Sequence, residues 1–174
     1  MSGEAAPQAA PSRQVVVFQI GHEEYAAPIE QVREVVKTPN ITLTPNGQDA
    51  VVGVINLRGQ IVPVLDLEKL FHLPEADRAS AQHIVVSEDD AHALFGVQVE
   101  RVLEVLRIAN DAIKPTPKMV AEHVAADYLD GVVILESDNA ASQSGRMILL
   151  VNLQKIIADR ALDQPKQEGS VVTQ

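Results

Sequence analysis

Displaced by 70 residues, the chain lies on itself. Val15–Val36 (VVVFQIGHEEYAAPIEQVREVV) overlays Val85–Leu106 (VVSEDDAHALFGVQVERVLEVL), and seven of the 22 positions are identical. These are Val15/Val85, Val16/Val86, His22/His92, Glu30/Glu100, Val32/Val102, Glu34/Glu104 and Val35/Val105. Ordinary residue frequencies give roughly one or two by chance. Further on, Gly53-Val54-Ile55 overlays Gly131-Val132-Val133, and Ile61–Leu70 (IVPVLDLEKL) overlays Met147–Ile156 (MILLVNLQKI). The pieces keep their order, with growing insertions between them. Two structurally similar halves are the plain reading, each a strand–turn–strand unit followed by a hairpin, and a repeat limits the fold before any element is assigned.

In the first unit, Gln14–Ile20 reads as a strand, Gly21-His22-Glu23-Glu24 as a turn and Tyr25–Ile29 as a second strand. Glu30–Val36 fits either a short helix, through Ile29, Val32, Val35 and Val36, or an extended strand. The hairpin of the first half is the sharper signal. Two Val/Ile-rich runs, Val51–Leu57 and Ile61–Leu67, meet at Arg58-Gly59-Gln60. Gly59 supplies the backbone freedom of a tight turn. Arg58 is the only charge between Val51 and Leu65. Such a lone guanidinium is either a planar donor fork for a partner or a solubilising turn charge.

In the second half the tip is replaced by a long polar loop, Glu136–Arg146, so one half is expected to do without the Arg-Gly tip. Glu68–Leu73 reads as a helical turn stopped by Pro74. Asn152–Leu162 reads as a C-terminal helix with Asn152 as its N-cap. With about five short strands in each half, the expectation is an all-β protein built from small barrels or sandwiches.

Composition closes off several functions. The chain is 46% hydrophobic but only 3% aromatic, so Val, Ile, Leu and Ala must build the core. There is no Cys, hence no disulfide, thiolate nucleophile or Cys metal site. A formal net charge of −10 argues against nucleic acid and against docking on anionic lipid. No apolar run approaches a membrane span. The Ala/Pro/Gln/Ser-rich residues 1–13 and the polar residues 163–174 read as disordered tails rather than a signal sequence or a domain.

Chemistry is sparse. No phosphate-binding glycine loop and no nucleophile elbow is present. The five His residues are scattered, and His22 and His92 sit in acidic turns where solvation is the commoner fate than metal ligation. Asp66 is a carboxylate on an apolar strand, and capping the turn at Glu68–Leu70 accounts for it better than catalysis does. The expectation is no catalytic residue, no metal and no cofactor. What remains is surface. Two small barrels packed together leave a seam, and an aliphatic groove there would suit an amphipathic helix. A sensor domain holding a small molecule in that groove is the alternative of a different class.

The residues resemble a known family. Gly21-His22-Glu23-Glu24-Tyr25, Val32-Arg33-Glu34-Val35, the hairpin Gly53–Leu67 with its Asn56-Leu57-Arg58-Gly59 core, Gly96–Val102, Ile113–Pro117 and Tyr128-Leu129-Asp130-Gly131 are similar, in order, to CheW, the adaptor family of bacterial chemotaxis arrays. The resemblance covers about 14–161. It implies one domain over 14–162, made of two interleaved five-stranded SH3-like β-barrels with a groove between them and a C-terminal helix. It implies a non-enzymatic cytoplasmic adaptor, recruited to membrane-associated arrays, which joins the cytoplasmic tip of chemoreceptors to the CheW-like regulatory domain of the histidine kinase CheA. Other CheW copies in the array are a further implied partner. The family also serves twitching, gliding and other chemosensory pathways. Carried over by position, Val32, Glu34, Gly53 and Arg58 match receptor-coupling positions. Two departures stand out: Glu100, where the family often has Asp, and the long 136–146 loop.

Overall fold

A computed structural model describes residues 11–37, 40–43, 50–71, 83–121, 126–136 and 145–163. The strands are β1 (Ser12–Ile20), β2 (Glu23–Pro28), β3 (Glu34–Lys37), β4 (Thr42–Leu43), β5 (Val51–Leu57), β6 (Gln60–Asp66), β7 (His83–Glu88), β8 (Leu94–Val99), β9 (Arg101–Ala109), β10 (Ile113–Lys114), β11 (Leu129–Leu135) and β12 (Arg146–Val151). Three helices, α1 (Leu67–Leu70), α2 (Lys118–Ala121) and α3 (Leu153–Asp163), complete the described elements together with single 3-10 turns.

The strands form two sheets. One runs β3-β7-β8-β6-β5-β4 and the other β10-β11-β12-β2-β1-β9. Adding six to each strand number of the first sheet, with β7 and β8 returning to β1 and β2, yields the second. The duplication therefore becomes a pseudo-twofold, and the halves interleave: the β1–β2 hairpin of the first repeat belongs to the sheet of the second, and β7–β8 belongs to the first. Both sheets are antiparallel except where the exchanged hairpin docks. There β6 pairs with β8 and β12 with β2 in parallel. These are the SH3-like barrels of the expected fold, here called the first (β3–β8) and second (β1, β2, β9–β12). Each has six strands because the two-residue β4 and β10 join the expected five.

The exchange explains why the strands are apolar on both faces. In β12, Ile148 and Leu150 fill the second barrel, while Leu149 and Val151 face a central cluster shared by both barrels. In β7, Ile84 and Val86 fill the first barrel and Val85 faces the centre. Alternating residues thus reach two different cores, so continuous Val/Ile/Leu runs carry no polar face.

The centre departs from the aliphatic expectation. Phe18, Tyr25, Phe71 and Phe95 all lie buried there, and Tyr25 stacks between Phe18 and Phe71 with ring centroids 6.3 Å and 5.7 Å apart. The few aromatic residues are concentrated at the one place where both barrels meet and most area can be buried. Leu67, Leu70, Leu153 and Ile156 from α1 and α3 pack into the same cluster. At the edge of this cluster the repeat-related Val32 and Val102 are half-buried against it.

Local differences have simple causes. Glu30–Val36 is no helix: a 3-10 turn at Ile29–Gln31 leads into β3, whose period of two puts Val36 into the first barrel and Val35 outside. β1 starts at Ser12, not Gln14, because Ser12 and Arg13 still pair with Ala109 and Ile108. α3 includes Asp163, the first residue assigned to the C-terminal tail. Asp66 caps α1, its Oδ1 accepting the Glu68 N–H at 2.9 Å. Asn152 caps α3 likewise, accepting from Lys155 N at 3.1 Å. Residues 1–10 and 164–174, Pro74 and the 137–144 stretch of the long loop lie outside the described residues.

Candidate functional site

The hairpin tip is a two-residue loop. Leu57 pairs with Gln60, and both loop residues have positive φ, 49° at Arg58 and 85° at Gly59. That is the turn whose twist matches the flanking strands, and glycine suits its second position. Asn56 fastens the turn, its Oδ1 accepting the Gly59 N–H at 2.8 Å. Arg58 takes a left-handed conformation that bulky side chains rarely adopt.

The Arg58 guanidinium grips Glu34 with two donors. Nη1 donates to Oε2 at 3.2 Å and Nη2 donates to Oε1. Glu34 stands on β3, the first strand in the sheet order, with β7 and β8 between it and the β5–β6 hairpin, so the ion pair reaches across the curled sheet. The Arg58 hydrogen bond holds the Glu34 carboxyl below the usual carboxylate range. The pair stays accessible, with side-chain exposures of 71% for Arg58 and 25% for Glu34. Val35 and Ile61, one and three residues along the chain from the pair, are exposed apolar side chains. A forked charge beside aliphatic surface can dock and orient a helical partner.

Of the four sequence-predicted site residues, Glu34 and Arg58 are thus brought into direct contact. Val32 precedes β3 on the crossover between barrels, where its N–H donates to Ile29 O at 3.1 Å. Gly53 is buried on β5. A Cβ placed there would lie 2.2 Å from the Thr42 carbonyl oxygen, so its lack of a side chain lets β4 approach. The repeat-related Gly131 does the same for β10, since a Cβ at that position would lie only 2.6 Å from the Lys114 carbonyl oxygen.

The second barrel corrects one expectation. It lacks the Arg-Gly tip but keeps an Arg–Glu pair. Arg146 is the first residue of β12 rather than the end of the loop. Its Nη1 meets Glu104 Oε1 and its Nε donates to Glu24 Oε2, both at 2.6 Å. Glu104 is the repeat partner of Glu34, so the edge-strand carboxylate is held by an arginine in both barrels. The alignment hid this because Arg146 matches Gln60, not Arg58. Glu100, the departure from the family pattern, forms the crossover from β8 to β9, and its Oε1 accepts the Gly21 N–H at 3.1 Å.

His22 and His92 remain turn residues, while His83 is the first residue of β7. His92 Nδ1 contacts Glu88, which also pairs with Arg33, and these contacts hold the Glu88 carboxyl below its usual range, with His92 the larger cause. His22 borders a shallow cleft with Gln19, Glu23, Glu24 and Arg146. Among the described residues, no three His, Asp or Glu side chains gather as metal ligands.

A family model for the CheW-like domain matches residues 14–161. The chain belongs to the CheW family. It is 30% identical to the chemotaxis protein CheW of Helicobacter pylori, over 83% of this chain and 81% of that protein. It is also 30% identical to protein FrzA of Myxococcus xanthus, covering 87% and 89%. The crystal structure of the scaffolding protein TtCheW from Thermoanaerobacter tengcongensis superposes with a TM-score of 0.70 at 28% identity, covering 87% of this CheW-like chain and 91% of that one. The duplicated barrels are the fold of that scaffold, and this CheW-like domain is a chemotaxis scaffold by family.

Proposed function

We propose that this chain is a non-enzymatic cytoplasmic adaptor that couples chemoreceptors to the histidine kinase CheA in membrane-associated arrays. The observation that carries the receptor side is the Glu34–Arg58 fork, accessible at a hairpin tip and flanked by exposed Val35 and Ile61. A receptor's helical cytoplasmic tip would lay its apolar face on the rim of the seam near Val32, and the fork would set its orientation. Gly53 acts from behind by seating β4. CheA's CheW-like regulatory domain, and further copies of this chain, would pair with barrel ends. Among the described residues no helix is long and apolar enough to cross a membrane, which fits recruitment through receptors.

Signal passes only if the adaptor complex binds kinase-on and kinase-off states with different affinity. A hydrophobic cluster shared by both barrels suits that task, because a packed interior transmits displacement rather than absorbing it. The test is receptor-dependent CheA stimulation in a reconstituted array. Arg58→Ala and Glu34→Ala are expected to fold normally and to lose stimulation. Wild-type stimulation by folded Arg58→Ala overturns the assignment.

A further inference from the structure

The crossover from β2 to β3 is fastened to helix α3 by one side chain, Gln31. Gln31 Oε1 accepts the Leu153 N–H at 2.8 Å, and its Nε2 donates to Asn152 Oδ1 at 3.3 Å. The amide orientation follows from the partners: a backbone N–H needs an oxygen, and Asn152 Oδ1 already accepts from Lys155 N. The Gln31 carbonyl accepts from the hydroxyl of Ser87, a fully buried residue. Two residues on, Arg33 N donates to Val86 O at 2.8 Å and its guanidinium pairs with Glu88. Gln154 of α3 donates to the Glu88 carbonyl at 2.6 Å. Crossover, end of β7 and first turn of α3 are one hydrogen-bonded unit.

The pseudo-twofold supplies the control. Asp66 and Asn152 occupy matching places and cap α1 and α3, Asp66 accepting from the N–H two residues on and Asn152 from the N–H three residues on. The repeat partner of Gln31 is Arg101, whose Nε donates to Gln19 Oε1 instead. The matching residue of the other crossover thus bonds strand β1. α3 in turn buries Leu153 and Ile156 in the cluster shared by both barrels. The clamp therefore connects the solid centre of the molecule to the strand that carries Glu34.

We infer that Gln31 is a positioning residue for coupling: by tying the crossover to the N-terminus of α3 it sets where Val32 and Glu34 stand relative to the shared core, and it does so without touching a partner. The inference deepens the adaptor reading and rests on it for the functional part of the test. Removal of the tie leaves β3 paired to β7 but frees its entry, so receptor contact shifts the crossover instead of the whole adaptor.

The experiment uses the full chain with Gln31→Ala and Gln31→Glu, with Arg58→Ala in parallel. Glu keeps an oxygen for the Leu153 N–H and puts negative charge at a helix N-terminus, so it retains most of the clamp. In Gln31→Ala, amide hydrogen exchange is expected to accelerate at Leu153 and at residues 32–34, with the β5–β6 hairpin unchanged. Receptor-dependent kinase stimulation is expected to fall by about five-fold or more, the lower end of ordinary site–site coupling. Affinity for CheA without receptor stays at the wild-type value, and Gln31→Glu recovers most of the stimulation. Wild-type exchange at residues 32–34 overturns the inference, as does undiminished stimulation or an equal loss of receptor-free CheA binding. If Arg58→Ala also retains full stimulation, the adaptor reading itself fails, and the exchange data alone decide the positioning claim.

Discussion

Replacing Gly53 by Ala separates a structural role of this residue from a direct contact with a partner. The added methyl would begin 2.2 Å from the Thr42 oxygen and 3.0 Å from the Ile41 Cγ2, and real Cβ atoms do not approach backbone closer than about 3.0 Å. Either β5 or β4 must move. β4 is the weaker side: among the described residues it pairs through Thr42↔Val54 and Leu43↔Gly53, and both its residues are exposed. Detaching it forfeits two backbone pairings, on the order of 1 kcal/mol each. It also loosens the half-buried Ile41 against the first-barrel core, for about 1 kcal/mol more. The expected cost is about 2–3 kcal/mol, a fall of roughly 1 M in the urea midpoint for a domain of this size. Gly131→Ala meets a carbonyl at 2.6 Å and also has φ of +148°, so backbone strain adds on the order of 1 kcal/mol and its midpoint falls further. Urea unfolding followed by circular dichroism measures both. The steric argument is refuted if either variant keeps the wild-type midpoint, or if Gly53→Ala is the worse of the two. Coupling then adds a second reading. A Gly53→Ala protein that is as stable as wild type yet uncoupled would mean that Gly53 itself touches the receptor.

Other outcomes follow from the same geometry. Swapping the fork (Glu34→Arg with Arg58→Glu) should restore any stability lost in the single variants without restoring stimulation, since the partner meets the charges in the wrong places; full recovery of stimulation would make the pair purely internal. The Glu34 carboxyl should titrate below the ordinary Glu value by NMR, so its pairing is present above the unfolded carboxylate range and lost as pH falls through the lowered folded value; a midpoint at or above the ordinary value contradicts the fork. Burial, helped by the adjacent Glu23 carboxylate, pushes the Tyr25 phenol far above its usual value. Its contribution is therefore intact below the unfolded pKa of about 10 and declines as pH rises above it. Tyr25→Phe should flatten the alkaline limb of the stability profile, and identical slopes above pH 10 would count against that burial.

Much of the architecture can be read from residue order. The duplication marks which elements correspond, the Asn56–Gln60 stretch marks a tight hairpin, and Asp66 and Asn152 announce two helix starts. These are local signals, carried by turn chemistry and capping within a few residues. The candidate fork was half legible. Arg58 stood out as the lone charge in an apolar run, and Glu34 was named by family position, but nothing local says that they touch. Arg146 and Gln31 were missed for the same reason. Arg146 looked like the end of a polar loop, and Gln31 sits in a short link without periodicity, 122 positions from the backbone group it satisfies.

The sequence by itself determined the all-β character, the twofold repetition, the tight hairpin with its glycine and the capped starts of α1 and α3, because each depends on interactions among near neighbours. Only the tertiary structure decided that β1–β2 and β7–β8 change barrels, that four aromatic side chains gather where the barrels meet, and that a glutamine clamps the crossover to α3. Strand exchange is written in backbone hydrogen bonds between distant segments, and backbone groups are the same at every residue. A strand apolar on both faces fits either barrel equally well by pattern. Which one it joins is settled by packing the whole chain at once.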